Sequence, residues 1–502
     1  DEKEILKFWK ENKIFDKTLA KVSPKGEFVF YDGPPFATGL PHYGSLLASI
    51  AKDVFGRYKT MRGFHVRRRW GWDCHGLPIE NMIEKRLGLK SKKDIEAMGV
   101  EKFNETCRSA VLETASAWKE YVERAGRWVE FDNAYMTMDN SFMESVWWAL
   151  KQMWDKELIY EGRKVLMYCP RCETPLAKAE VAMDNSYKTV TEEAVTVKFK
   201  VKPGQKISNW TTDENTYLLA WTTTPWTLPG NVALAINSSL EYELIKQGEE
   251  ILILAKDSPQ HLSEKSSDIA ASRRQTFLRD IVASSIREFK GKDIVGLEYE
   301  PLYEIPVVKN SGKKSHYVVE GDFVNTEDGT GIVHIAPMHG EDDYNIGVKY
   351  DLPIAPLLDS GGHFNKEAPE FIQGFYLKKG EKYIKEDLEK RGLIFAKQAH
   401  THSYPHCHRC ETPLYYSALS SWFINIQKVK NRLVQLNEKI NWQPEHLKHG
   451  RFLNIVKDAP DWNISRNRYW ASPLPIWKCQ KCQKVELIGS LEELKKKTRK
   501  SG

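Results

Sequence analysis

Six of the eight cysteines stand in three Cys-x-x-Cys pairs: Cys169/Cys172, Cys407/Cys410 and Cys479/Cys482. Zinc takes four tetrahedral N/S ligands, and such a knuckle supplies two from a single turn. Two knuckles therefore make one closed structural site, expected on Cys169, Cys172, Cys407 and Cys410. A catalytic zinc site is the weaker reading, because four thiolates leave no position for water. Reduced, metal-free cysteines are a further alternative, and His402, His406 and His408 lie near enough to replace a cysteine. Cys479 and Cys482 form half a site whose partner is expected beyond Gly502. Pairs of this kind point to metal rather than disulfides in a reducing compartment.

A second set of residues suits phosphate chemistry. Asp32-Gly33-Pro34-Pro35-Phe36-Ala37-Thr38-Gly39-Leu40-Pro41-His42-Tyr43-Gly44-Ser45 joins a short apolar run to a helical pattern. Glycine lets a ligand approach the backbone, a helix N-terminus favours phosphate, and His42 could donate to a phosphoryl group in transit. A third set is rich in hydroxyls and acids: Trp221-Thr222-Thr223-Thr224-Pro225-Trp226-Thr227-Leu228-Pro229-Gly230-Asn231, followed later by Gly329 to Tyr344 with His334, His339, Asp342 and Asp343. No Ser/His/Asp triad or Cys/His pair stands out beside them.

The elements that must position these groups follow from periodicity. Residues 1–20 read as a helix, with Ile5, Phe8, Trp9 and Ile14 at helical spacing. Phe28-Val29-Phe30 reads as a buried strand running into a tight turn, and 43–61 as a helix. Strand, Gly/Pro-rich turn and helix open a doubly wound parallel α/β sheet of Rossmann type, which binds ligands at its strand ends. Residues 100–158 are helix-like, with Trp118, Trp128, Trp147, Trp148 and Trp154 expected in packing. From about 186 the pattern alternates as in strands, over 187–200, 217–221, 232–236, 251–255, 305–309 and 332–336. A polar, Ser-rich stretch at 256–290 reads as a surface insertion with helical parts. Helical texture returns after 415. One echo divides the chain: Cys169-Pro-Arg-Cys-Glu-Thr-Pro-Leu176 returns as Cys407-His-Arg-Cys-Glu-Thr-Pro-Leu414, flanking the β-rich block as a clamp on an inserted domain. The expected division is 1–165, 166–185 (knuckle), 186–395 (inserted), 396–418 (knuckle) and 419–502 (return to the first sheet).

Bulk properties are those of an ordinary soluble protein with ample core material. The 502 residues suit two to four domains of about 100–200 residues each. The net charge of +6, from 74 basic and 68 acidic residues, is too mild to prove nucleic-acid binding. It permits a local basic face, such as Lys59, Arg62, Arg67, Arg68 and Arg69 or the tail Lys495–Lys500, though most such clusters are solvated surface. No run of about 18 apolar residues suggests a membrane span, and the charged start lacks a signal stretch. A cytoplasmic location is expected.

The motif ending in His42-Tyr43-Gly44-Ser45 resembles the first signature of class I aminoacyl-tRNA synthetases, in the form typical of the isoleucine-specific branch. Gly71-Trp72-Asp73-Cys74-His75-Gly76-Leu77-Pro78-Ile79-Glu80 and Asp461-Trp462-Asn463-Ile464-Ser465-Arg466-Asn467-Arg468-Tyr469-Trp470 are similar to two further segments of that active site. The resemblance covers nearly the whole chain. It implies that His42 and Gly44 contact ATP, that Asp73 holds the substrate α-amino group, and that Pro34, Pro35 and Trp462 wall the isoleucine pocket. Ser45 stands where the signature ends in His, and Ala471 where the family usually has Gly. The Thr-rich segment and the His334–Asp343 segment resemble the two walls of the editing pocket in the Ile/Val/Leu subgroup. The form Thr-Thr-Thr-Pro-Trp-Thr-Leu-Pro-Gly-Asn favours isoleucine, since the valine and leucine enzymes usually have Arg-Pro after the threonines. The resemblance implies that Asp343 binds the misattached α-amino group, that Thr222, Thr223 and Thr224 contact the terminal adenosine or ester, and that Asn231 and His334 line the pocket. A register slip of one would exchange Asp342 for Asp343.

The implied reaction joins isoleucine to tRNA(Ile) through an aminoacyl-adenylate, with ATP as substrate and Mg2+ on its phosphates, and removes misattached valine by water attack. Editing has a physical reason: a hydrophobic pocket gains only about 1–3 kcal/mol from one methylene, a general range for which the isoleucine–valine pair is itself the standard example. The second ATP signature, KMSKS, and an anticodon-binding domain are not found. Lys495–Ser501 is only superficially similar to KMSKS. The sequence is accordingly expected to be a fragment of a longer protein, working as a monomer with isoleucine, ATP and tRNA(Ile) as partners. Two other classes compete. A stand-alone hydrolase of mischarged tRNA would keep Asp343 but have little need of His42 or Asp73. A non-catalytic tRNA-binding or zinc scaffold would tolerate loss of both sites.

Overall fold

The computed structural model describes residues 1–182, 186–258 and 284–498. It comprises two compact units, Asp1–Tyr160 with Trp422–Gly502, and Glu161–Ser421. The chain leaves the first along a strand, Ile159–Cys169, and returns along another, Tyr415–Ile424. Among the described residues no helix is long and apolar enough to cross a membrane.

In the first unit Arg69–Trp72 pairs in parallel with Glu130–Met136. The connection between them runs through the helices Leu77–Leu87, Lys92–Met98, Val100–Ala110 and Ala115–Arg124. Parallel strands are covered on both faces, and Trp70 and Trp72 are buried against Ile79, Ile83, Phe103 and Trp118. Parallel bridges Glu27↔His65 and Phe36↔Asp73 extend this pair towards the Gly/Pro-rich turn. Gly71 is needed for a close approach: a Cβ there would lie 2.2 Å from the Tyr135 ring. That ring crosses the strand so that its hydroxyl donates to the Asp32 carbonyl at 3.0 Å.

Several expectations are corrected in this unit. Phe28-Val29-Phe30 is extended but is not a buried strand. Only its neighbour Glu27 pairs, and Val29 is 72% exposed. The first helix is two, Glu2–Glu11 and Ile14–Ala20, because Lys13 adopts the left-handed conformation at φ 47°. Trp148 faces solvent while Trp118 and Trp147 are buried. The basic cluster is not one solvated face: Arg68 is buried, stacks on Phe15 and donates to the Thr18 hydroxyl, and Arg67 pairs with Glu130. The helix Tyr43–Met61 forms as the periodicity requires, and His42 is its N-cap.

The second unit is β-rich. A six-stranded sheet runs in the order Ser284–Lys290, Glu241–Gln247, Glu250–Ala255, Thr216–Thr222, Tyr187–Lys200, Ile394–Pro405. All its pairings are antiparallel except Glu250–Ala255 with Thr216–Thr222. A three-stranded sheet places Ala233–Ile236 between Tyr317–Glu320 and Val333–Ile335. Val195, Val197 and Phe199 from the first sheet and Ala233, Leu234 and Ile335 from the second share one buried core. Residues 305–309 are not a strand but a short helix, Pro306–Lys309; Pro306 presets φ at the first helical position. The return after 415 begins with the strand Tyr415–Ile424, and helices follow only from Lys430. The Ser-rich stretch expected at 256–290 falls largely outside the described residues, as do Arg499 and Lys500 of the basic tail.

Candidate functional site

The nucleotide candidate is a cavity of about 460 Å³ lined by Pro34, Pro35, His42, Gly44, Lys52 and Arg127, among others. Trp118 holds the loop before His42 by donating its indole N–H to Gly39 O at 2.6 Å, and Thr114 donates to Ala37 O at 3.1 Å. Asp32 pairs with both Lys52 and Arg127. One carboxylate against two cations leaves the wall net positive at a helix N-terminus, an arrangement that favours an anion.

His42 caps the helix. Gly44 N–H donates to His42 Nδ1 at 3.1 Å, and His42 N–H donates to Ser45 Oγ at 3.3 Å. Ser45 thus closes a reciprocal capping box. Asp73 joins the loop through its backbone: its N–H donates to Pro35 O at 2.9 Å, and its carbonyl accepts from Ala37 N–H at 3.0 Å. Trp462 is 56% exposed and is not among the residues lining the cavity.

Sequence reasoning missed the charge cluster that ties the 461–470 segment to the helix after Asp73. Arg468 pairs with Glu80 and Glu84, one turn apart on Leu77–Leu87, and all three are buried. Glu80 also accepts Tyr469 N–H at 3.0 Å and Trp470 N–H at 2.8 Å. The Trp470 indole donates to Cys74 O at 2.6 Å. A helical Glu-x-x-x-Glu followed by a distant Arg is the only sequence signal, and it does not reveal its partner. Removing one member of a buried ion pair typically costs about 3–5 kcal/mol. Arg468→Met is therefore expected to lower the urea midpoint by a corresponding amount; an unchanged midpoint would show that the two carboxylates do not depend on it.

The second candidate lies in the β-rich unit. Thr222 ends a strand, and Pro225–Gly230 follows as a 3-10 turn. Thr222 Oγ1 accepts from Thr224 N–H at 3.0 Å and lies 3.3 Å from Thr224 Oγ1. Thr224 Oγ1 is 3.4 Å from Thr227 Oγ1, which is 3.0 Å from His334 Nε2. Thr223 is half-buried beside this chain. His334 is carried by the strand Val333–Ile335, and the next residue, Ala336, donates its N–H to Asp343 Oδ1 at 2.7 Å. Hydrogen bonds thus run from Thr222 to His334, and Asp343 is held by the backbone just past the strand that carries His334.

Asp343 sits in the first turn of Glu341–Lys349 and folds back over Gly340, where a Cβ would lie 2.1 Å from its Oδ2. Burial pushes its carboxyl up to about 7, against hydrogen bonds from backbone N–H groups that favour the charged form. The neighbouring Asp342 is exposed. Burial lowers His334 to about 4, helped by nearby His339, and lowers His339 to about 4 as well. Both imidazoles are neutral at pH 7. Asn231 is committed elsewhere: its Oδ1 accepts from the buried Tyr299 hydroxyl at 2.8 Å, and its Nδ2 donates to Ala233 O at 2.9 Å.

Four thiols converge in the same unit. The sulfurs of Cys169, Cys172, Cys407 and Cys410 lie within 4.8 Å of one another, and three of these residues are buried. Cys169–Cys410 and Cys172–Cys410 separations of 3.5 and 3.6 Å are too long for disulfides. The Cys407 and Cys410 thiols are lowered by hydrogen bonds from Cys169 and Cys172, while Cys169 rises in return. The cluster can hold a metal ion. His406 Nδ1 is used by Tyr404 O at 3.0 Å, and His402 faces Glu192. Cys479 and Cys482 are exposed on the turn between Ile476–Lys478 and Val485–Leu487. Their turn repeats the clustered knuckle at 407–412: the first Cys N–H donates to the carbonyl five residues on, and the residue after the second Cys is left-handed (Glu411 φ 60°, Gln483 φ 58°).

Residues 4–502 match the family of tRNA synthetases class I (I, L, M and V), and the chain belongs to it. Similar curated relatives include isoleucine–tRNA ligases. That of Treponema denticola is 45% identical over 513 residues, covering 98% of this chain and 46% of that protein. That of Clostridium novyi is 46% identical over 496 residues, covering 99% and 45%. That of Thermus thermophilus is 43% identical over 499 residues, again covering 99% and 45%. The chain spans about half the length of the curated relatives it matches.

Proposed function

We propose that this chain carries the ATP-binding start and the editing site of an isoleucine–tRNA ligase. The whole enzyme activates isoleucine with ATP and Mg2+, charges tRNA(Ile), and hydrolyses misattached valine, as a cytoplasmic monomer. The observation that carries the reading is the hydrogen-bonded run from Thr222 to His334, with the Asp343 carboxyl held by Ala336 N–H just past the same strand. Asp343 ionises near neutral pH and can hold the α-ammonium of the misattached residue. Thr222, Thr223 and Thr224 bind the terminal adenosine or the ester, and His334 lines the pocket. Water is the nucleophile, since neither a triad nor a Cys/His pair is present among the described residues of this network. Asn231 supports the pocket through Tyr299.

In the first unit His42 and Gly44 receive the phosphates, Asp73 holds the isoleucine ammonium, and Pro34, Pro35 and Trp462 shape the isoleucine pocket. Catalysis there is by positioning and charge stabilisation. Cys169, Cys172, Cys407 and Cys410 hold a structural zinc. Zn–S bonds of about 2.3 Å in a tetrahedron put sulfurs about 3.8 Å apart, close to the separations that the thiols already have. Cys479 and Cys482 are half of a second site.

ATP·Mg2+ binding tests the nucleotide half, read by fluorescence of Trp70 and Trp118, which line the cavity. Saturable quenching is expected. Gly44→Ala places a Cβ 2.8 Å from His42 Cε1 and displaces the ring. Alanine suits a helix better than glycine, so the fold is retained while affinity falls about tenfold, the equivalent of one hydrogen bond to a charged group. A chain that hydrolyses valyl-tRNA(Ile) but never binds ATP would favour the stand-alone hydrolase.

A further inference from the structure

Pro34 and Pro35, which line the nucleotide cavity, have no N–H to donate, and the backbone from Asp32 to Pro35 is tied down by its carbonyls. Asp32 O receives the Tyr135 hydroxyl at 3.0 Å, Gly33 O receives Lys52 Nζ at 3.1 Å, and Pro35 O receives the Asp73 N–H at 2.9 Å. The three donors come from the strand Glu130–Met136, the helix Tyr43–Met61 and the residue just past the strand Arg69–Trp72. Only Tyr135 has to cross a strand to arrive. It stands opposite Gly71 in the parallel pairing, and its ring lies where any Cβ on Gly71 would be. Gly71 does not have a positive φ, and glycine weakens a strand interior, so the ring is the physical reason for a glycine there. The ring also stacks on Phe142, with centroids 5.8 Å apart and planes within 3° of parallel. Burial and the Asp32 and Asp73 carboxylates push the Tyr135 hydroxyl up, so it keeps the proton that it donates.

We propose that Tyr135 is a positioning residue of the first unit's substrate site: reaching across Gly71, it holds the Asp32 carbonyl and so sets the Gly33–Pro35 wall of the cavity against Asp73. This rests on the nucleotide and amino-acid reading given above and adds Tyr135 and Gly71 to it. Asp32, Gly33, Pro34, Pro35 and Gly71 all line the cavity, so the tyrosine acts on a ligand through the wall. Two ties bracket the prolines. Tyr135 holds the near end at Asp32. Asp73 holds the far end, through Pro35 O and through its own carbonyl, which accepts the Ala37 N–H at 3.0 Å. Without the first tie the wall can swing about the second. The pairs that the Asp32 carboxylate makes with Lys52 and Arg127 fix its side chain and leave its carbonyl to Tyr135.

The test is amide hydrogen exchange of the full chain, read at the Ala37 and Asp73 N–H groups that join loop to strand, together with ATP·Mg2+ affinity from tryptophan fluorescence. Tyr135→Phe keeps the ring and its stack on Phe142 and removes only the donor. Exchange at these two amides is expected to rise about fivefold, the worth of one ordinary hydrogen bond, and ATP affinity to fall by a similar factor. Amides within the strands Arg69–Trp72 and Glu130–Met136 are expected to stay as protected as before. Gly71→Ala should have the same effects from the other side, by displacing the ring, and should add nothing once Tyr135→Ser has removed the ring. Unchanged exchange at Ala37 and Asp73 in Tyr135→Phe overturns the proposal. So does faster exchange spread through both strands, which would make the tyrosine a general support of the fold, and so does faster loop exchange with undiminished ATP affinity. A Gly71→Ala change that costs as much beside Tyr135→Ser as in the wild-type chain overturns it as well. A wild-type chain that binds no ATP counts against the nucleotide reading itself, and exchange at Ala37 and Asp73 still decides whether Tyr135 holds the loop.

Discussion

Asp343→Ala is expected to cut hydrolysis of valyl-tRNA(Ile) by roughly 30- to 4,000-fold, because truncating one partner of a buried charge pair costs about 2–5 kcal/mol. The wild-type rate also carries a pH signature. Burial raises the Asp343 carboxyl from its ordinary 3.8 to about 7. Only the ionised form can hold an ammonium, so at low substrate the rate should fall about tenfold per pH unit below that value. His334 and His339, both lowered to about 4, stay neutral through this window and cannot supply the limb. Above about 8 the substrate's own α-amino group loses its proton, and the profile closes into a bell. Stability runs the other way. A carboxyl raised in the folded state favours folding at acid pH, and that contribution is lost between about 3.8 and 7. Asp343→Asn should therefore gain thermal stability over the wild-type chain as pH rises through this range, while remaining inactive. A flat pH–rate profile together with an active alanine variant would remove Asp343 from the site.

The second large effect is expected at the thiol cluster. Structural zinc binds with apparent free energies of about 10–16 kcal/mol in small domains. Purified chain should carry one zinc. Cys172→Ala should lose it, because among the described residues the cluster consists of four thiols with no histidine in it, and three of them make a poor structural site. A loss of only about 4 kcal/mol would lower the Tm of a unit of this size by roughly 8–16 °C. Cys479→Ala, on the exposed turn, should change neither the zinc content nor the Tm. Zinc retained in Cys172→Ala would move the metal away from the cluster.

Local signals were read well where one element decided them. The helix Tyr43–Met61 follows from its own periodicity and the His42 cap. The strand Tyr187–Lys200 alternates, and the two echoing knuckles meet because their cysteines share one geometric need. Readings failed where a neighbour decided. Phe28-Val29-Phe30 has the apolar run of a strand but too little pairing to become one. Val307 and Val308 have β propensity, yet Pro306 opens a helical turn. The strand Glu130–Met136 carries Glu, Asp and Asn, poor strand formers, and exists because it pairs with Arg69–Trp72. The same limit applied to the sites. Asp343, His334 and the threonines could be named only as members of a motif; that Asp343 accepts the Ala336 N–H while Asp342 is exposed is visible only in three dimensions. Arg468 and its two glutamates lie far apart in sequence and no local pattern joins them. Asn231 belongs to the motif, and its commitment to Tyr299 is visible only in three dimensions.

The most direct measurement is the ratio of deacylation rates of valyl-tRNA(Ile) and isoleucyl-tRNA(Ile) by the zinc-loaded chain at pH 7.5. The account predicts rapid loss of the valyl ester, little loss of the isoleucyl ester, and disappearance of the difference in Asp343→Ala. Equal rates for the two esters, or a difference that survives Asp343→Ala, would contradict it.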